Sequence, residues 1–161
     1  MTDPALVSRL EDFYQQVKNS FIRYIVESSQ AEIRDDFDRR VMPLYENWTR
    51  ESRQNEMALV DLLEEEGVVP PASSFPIGFS QFNFLSPTYL LGHVLEKAGA
   101  ELEALAAAQK ELEAWPAGAD LASAIVKRQS EFLERARTLQ VERPKEPPTA
   151  PRIKGTSANR W

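Results

Sequence analysis

The chain has no cysteine and only one histidine, His93, among 161 residues. Without thiols there is no disulfide, no thiolate metal site and no cysteine nucleophile. With a single imidazole, any Ser-His-Asp triad would need His93, and Ser73, Ser74 and Ser80 have no histidine near them in sequence. No apolar run approaches the roughly 18 residues that a membrane span requires, so no membrane insertion is expected. The opening MTDPALVSRLEDF lacks a basic stretch followed by an apolar one, the mark of a secretory signal. A cytoplasmic protein is therefore expected. Alternating strand patterns and repeats at solenoid spacing are missing as well, which leaves an all-α fold.

Hydrophobic residues make up 42% of the chain, enough for one compact domain with its own core. The net charge of -6 is unevenly placed. Residues 143–161 hold Arg143, Lys145, Arg152, Lys154 and Arg160 against Glu146, so the rest of the chain carries a surplus of about ten negative charges. No nucleic acid is expected on so acidic a body. The division predicted is a four-helix bundle over residues 1–142 and a Pro-rich, basic, flexible tail over 143–161.

Helices follow from apolar spacing and capping. Asp3 and Pro4 open the first, whose stripe runs Leu6, Val7, Leu10, Phe13, Tyr14, Val17, Phe21, Tyr24 and Ile25 to about Glu27. Ile22 and Val26 fall on the opposite face and read as scattered surface hydrophobicity. Ser28–Gln30 reads as a turn. The next stripe continues from Ile33 through Leu62, with Pro43 inside it, predicting a kinked helix or two pieces, about 30–41 and 43–66. Gly67 and the two prolines after Val69 end it. Ser86 and Pro87 open a helix to about Ala114, Pro116–Gly118 ends it, and Asp120 caps a last helix to about Val141. Gly92 and Gly99, seven apart, are expected to allow close helix packing.

Between the second and third helices lies a crossover, residues 68–85, with no helical repeat. Its Phe75, Phe79, Phe82 and Phe84 must be buried somewhere. They either clamp the crossover along the bundle or form a surface for a partner or an apolar ligand. The inward face of the second helix is interrupted by Glu51 and Asn55, and the fourth stripe is bordered by Arg128 and Gln129. Buried polar groups need partners. Arg128 is thus expected to pair with Glu51, with Asn55, Gln129 and the hydroxyls of Tyr14 or Tyr24 completing a network; the alternative leaves these side chains in water at the helix edges. On the wheel His93 lies away from its stripe and should face solvent.

The segment MALVDLLEEEGVVPP, then a loop, then a second helical hairpin resembles the ferritin-like, rubrerythrin-type superfamily over residues 5–141. That resemblance implies a bundle whose metal-binding members use a Glu from each of two helices and a Glu-x-x-His pair from each of the other two. Here the corresponding positions are Ser52 and Asn55, or Glu51 and Gln54, and in the fourth helix VKRQSEF; no Glu-x-x-His occurs. No metal site and no cofactor are expected. The favoured reading is a non-catalytic ferritin-like bundle acting as an interaction or assembly subunit, with a protein partner or a second copy. Its tail would be a docking peptide carried by Arg152, Lys154, Arg160 and Trp161, or an untethered terminus. Two alternatives stay open: a metal-binding protein or oxidoreductase using Glu51, Glu96, Glu101 and Glu131, and a binder of an apolar small molecule at the phenylalanine crossover.

Overall fold

The computed structural model describes residues 2–70 and 72–145. Among these are five α-helices and one 3-10 helix, and no strand. Helix α1, Pro4–Lys18, starts as expected, with Asp3 accepting the Ala5 N–H at 2.9 Å and Pro4 in the first turn. It does not run on to Glu27. The chain leaves the helix at Asn19–Ser20 and restarts as α2, Phe21–Glu27. Two groups fix the break: Ser20 Oγ accepts the Arg23 N–H at 3.2 Å, and the Glu101 carboxylate accepts the Phe21 N–H at 2.9 Å. A side chain that satisfies a free helix-start N–H favours a restart over a continuous helix. The restart also changes the helix phase. Ile22 is consequently fully buried and Val26 packs against the same core, so neither is the surface residue that an unbroken wheel predicts.

The next helix begins later than the spacing suggests. Residues 30–34 are not helical, and Asp35 caps α3, Asp36–Glu65, by accepting the Asp38 N–H at 2.8 Å. Helix α3 passes through Pro43 without splitting. Pro43 removes the bond that would reach the Arg39 carbonyl, and Arg39 is exposed, so water can take that partner's place. At the far end Gly67 adopts φ +77°, with its N–H on the Glu64 carbonyl at 2.9 Å and the Val68 N–H on the Leu63 carbonyl at 3.0 Å. This is the left-handed Schellman stop that Gly67 announces.

The crossover contains a 3-10 helix, Ile77–Phe82. Helix α4, Pro87–Glu111, opens on Ser86, whose hydroxyl accepts the Tyr89 N–H at 3.1 Å. Asp38 of α3 reaches the same helix start, accepting the Thr88 N–H at 3.0 Å and the Thr88 hydroxyl at 2.5 Å, as well as the Arg34 N–H at 2.7 Å. Tyr45, also on α3, donates its hydroxyl to the Pro87 carbonyl at 2.9 Å. Pro116–Gly118, expected to end a helix, begins one. Pro116 sits in the first turn of α5, Pro116–Glu142, after Trp115 at the cap. Asp120 therefore lies inside α5 and caps nothing.

Helices α1, α2 and α5 each pack against both α3 and α4. The core is in two parts. One cluster joins Phe21, Ile25, Val41, Tyr45, Val94, Ala98 and Phe132 near the crossover. The other joins Leu10, Val17, Leu59, Leu63, Leu105 and Ile125 at the opposite end. No helix among the described residues is long and apolar enough to cross a membrane.

Candidate functional site

At the α1–α2 junction and within α3, α4 and α5, the chain passes from one apolar cluster to the other across a polar residue. Ser20 lies between Val17 and Phe21; Thr49 and Ser52 lie between Tyr45 and Leu59; Glu101 lies between Ala98 and Leu105; Gln129 lies between Ile125 and Phe132. Ser20, Thr49, Ser52 and Gln129 are all at most 3% exposed. They form a polar layer across the middle of the core.

The layer encloses a small chamber lined by Val17, Ser20, Trp48, Ser52, Glu101 and Gln129, with Leu105 and Ile125 completing its apolar wall. About 20 Å³ of it can take the centre of a water molecule, room for one such centre. Gln129 Nε2 donates to the Ala98 carbonyl at 3.2 Å, a bond across from α5 to α4. Glu101 Oε1 is held by the Phe21 N–H, but Glu101 Oε2, Ser52 Oγ and Thr49 Oγ1 are buried without a hydrogen-bond partner among the described residues. Burial pushes the Glu101 carboxyl up to about 7, against the smaller opposing effects of the Phe21 N–H and of Lys97. Lys97 does not form an ion pair with it. Its ammonium instead stands over the rings of Phe21, Phe79 and Phe82, 5.3–5.8 Å from their centres.

The residues singled out from sequence are only partly gathered here. Glu51 and Arg128 approach to 3.6 Å at the mouth of the chamber, with both side chains about half exposed. A wider cleft of about 200 Å³ shares Glu51, Arg128 and Trp48 with the chamber and adds Glu131 and Arg135. Asn55 lines the mouth and Gln129 the interior. Tyr14 and Tyr24 do not join the network: Tyr14 is in the apolar cluster with Leu10 and Leu59, and the Tyr24 hydroxyl donates to Asn83 in the crossover. The inward position on α3 belongs to Ser52, one residue on from Glu51, a turn of about 100° on the wheel. Sequence reasoning missed Ser20 and Thr49, and it named Ser52 and Glu101 only as a metal-motif position and a candidate metal donor, not as members of this buried layer. The available signal was the interval from Ala98 to Leu105, where Leu102 keeps the apolar spacing while Glu101 holds the inward bond.

In the crossover, Phe79 and Phe82 pack edge-on against Phe21 with ring centres 5.1 and 5.0 Å apart, and Phe75 packs on Tyr24 at 5.2 Å. Phe84 does not join them and is 54% exposed. His93 is half-buried, its ring 4.9 Å from Phe82 and 5.7 Å from Tyr89, where the wheel predicts solvent. Gly92 and Gly99 mark no close helix contact, since a Cβ at Gly99 would meet nothing within 4 Å and one at Gly92 only Gln140 Nε2 at 4.0 Å. The tail residues Arg152, Lys154, Arg160 and Trp161 lie outside the described residues.

The donors do not fit a dinuclear carboxylate centre. Glu101 is inside the chamber, Glu51 is at its mouth, Glu131 lines the outer cleft and Glu96 is exposed on α4. Among the described residues, no three His, Asp or Glu side chains gather as metal ligands would. Compared with family models, with curated proteins and with solved structures, the chain matches none.

Proposed function

We propose that this chain is a four-helix bundle of the ferritin-like kind, with α1 and α2 together as its first helix, and that it works as an interaction or assembly subunit. The surface it uses is the crossover end. Phe84 is the observation that carries this reading. Its backbone has φ +61°, a left-handed conformation that a bulky residue adopts only when its surroundings impose it. The imposing bonds are the Phe84 N–H to the Ser29 carbonyl at 2.9 Å and Arg34 Nη2 to the Phe84 carbonyl at 3.3 Å. The result is an aromatic side chain held in solvent while its three neighbours in the crossover are packed.

Two further apolar side chains accompany it. Ile33 is 44% exposed and Tyr89 51% exposed. The Glu32 N–H bonds the Leu85 carbonyl at 3.0 Å, which ties the segment carrying Ile33 to the one carrying Phe84. Glu32, Arg34, Asp35 and Asp36 are exposed along the same segment. Apolar and aromatic anchors inside a mixed-charge rim are the composition of protein-binding surfaces.

The test places a photoreactive phenylalanine analogue at position 84, with the same analogue at exposed Met57 on α3 as the control. Discrete cross-linked species from position 84, absent from position 57, are expected when the full chain is irradiated in extracts of its own cells. A species of twice the chain mass would make the partner a second copy. Equal or absent cross-linking at the two positions would overturn the proposal.

A further inference from the structure

We infer that the chamber around Glu101 and Ser52 is a binding site for a small ammonium-type cation, either free ammonium or the head of a short primary alkylamine. Two lining residues carry side-chain oxygens left unpartnered among the described residues, Glu101 Oε2 and Ser52 Oγ. Ser52 lines the chamber and is only 3% exposed. A ligand matching such a set must bring donors. An ionised carboxylate only accepts, and a hydroxyl accepts as well as donates. An ammonium group brings N–H donors in several directions together with the positive charge that a buried carboxylate lacks.

Size and walls narrow the choice. The inner space accepts one water-sized atom, which suits a nitrogen carrying only hydrogens, or one methylene chain leading outward. Val17, Leu105 and Ile125 give that chain an apolar wall, to which Trp48 also contributes. A divalent metal is disfavoured, because calcium takes six to eight oxygens and magnesium a near-ideal octahedron, whereas one carboxylate enters this space. Anions are opposed by Glu101.

The charges on the surrounding helices leave Glu101 without a cation of its own. On α2, Arg23 is engaged by Glu27 and Glu56. On α4, Lys97 stands over the crossover rings. On α5, Arg128 faces Glu51 of α3 across the mouth. None of the ion pairs among the described residues includes Glu101. The half-exposed Glu51–Arg128 pair is of the kind worth little to stability, so its side chains can part to admit a ligand from the outer cleft.

Thermal unfolding of the full chain near about pH 8, where Glu101 is mostly ionised, tests the site. Ammonium chloride, methylammonium chloride, tetramethylammonium chloride and potassium chloride are compared at equal ionic strength. The expected result is a midpoint that rises with ammonium and methylammonium concentration as a binding ligand requires, and no rise with tetramethylammonium beyond that of potassium. Glu101→Gln keeps the shape and removes the charge. It should weaken the apparent affinity about ten- to a hundredfold, the worth of a hydrogen bond to a charged group. Ser52→Ala, with Glu101 intact, should weaken it by a smaller factor. An equal response to potassium, an undiminished response in Glu101→Gln, or no response to any salt would overturn the assignment and leave water as the occupant of the chamber.

Discussion

Asp38 is the most connected buried carboxylate in the fold, and its removal tests how α3 is joined to α4. Only 1% exposed, it accepts the Arg34 N–H, the Thr88 N–H and the Thr88 hydroxyl. Burial alone would push its pKa up. The bonds from Thr88, Arg34 and Asp35 outweigh that and hold it below the usual carboxylate range. Hydrogen bonds to a charged group are worth about 1.5–3 kcal/mol each. Since Asp38→Ala also removes the cost of burying the charge, a net loss of about 3–5 kcal/mol is expected. Asp38→Asn keeps one acceptor but turns an NH2 toward a donor, and should lose about 2–3 kcal/mol. The control is Asp36→Ala, two residues away. Its side chain is 99% exposed and paired with Arg39, so a change within about 0.5 kcal/mol is expected. Urea unfolding with a common m-value measures all three. Because the folded pKa is depressed, the stabilisation by Asp38 is present above the unfolded value of about 3.9 and is lost as pH falls through the folded one. The part of the acid destabilisation below about pH 4 that Asp38 causes should be missing in Asp38→Asn. A cost below about 1 kcal/mol for Asp38→Ala, or one equal to that of Asp36→Ala, would refute the view that this carboxylate joins the two helices.

Two further perturbations have signs fixed by the structure. Gly99 is in the middle of α4 with open space where a Cβ would stand, so Gly99→Ala should raise stability by about 0.5–1 kcal/mol, read as a higher urea midpoint; a destabilised variant would mean that the helix is packed more closely there than these distances allow. Glu101 gives the opposite pH dependence to Asp38. Its folded pKa of about 7 exceeds its ordinary value of 4.5, so its contribution is fully present below about pH 4.5 and fades as pH rises to about 7, by of order 3 kcal/mol. Glu101→Gln should flatten the urea midpoint over that window, and a variant with the wild-type slope would rule Glu101 out as its source.

What the sequence made legible was local. Asp3–Pro4, Ser86–Pro87 and Gly67 each act within a turn of chain, and each stands where its chemistry predicts. The misread elements depend on partners far away in sequence. Helix α1 breaks at Ser20 partly because Glu101, eighty residues on, supplies an acceptor for the Phe21 N–H. Helix α3 starts at Asp36 because Asp35 and Asp38 cap two helix starts at once, leaving the Ile33 spacing outside the helix. Pro116 carries the same conformational preference at the end of a helix as at the first turn of another, and Trp115 packed over Gly118 accompanies the second outcome. At the centre, the interruptions on α3 and α5 were visible, but the wheel placed Glu51 inward where Ser52 stands. An error of one residue moves a side chain by about 100°. That angle separates a buried network from an ion pair at the mouth of a chamber.

The polar layer has an identifiable local use in only part of its extent. Ser20 and Glu101 Oε1 satisfy two of the N–H groups exposed by the restart of α2, and Gln129 bonds a carbonyl of α4. These bonds offset the burial of the groups that make them and help to fix where α2 and α5 lie on α4. Ser52 Oγ and Glu101 Oε2 do neither. Leucine or alanine at those positions would join the apolar clusters that now stop on either side, and replacing buried polar groups by apolar ones of similar shape is often neutral or stabilising. Packing alone therefore does not account for the oxygens that line the chamber. The bonds made at the α1–α2 break are explained by the fold, while the oxygens left facing the chamber are explained by a ligand that brings hydrogen-bond donors to it.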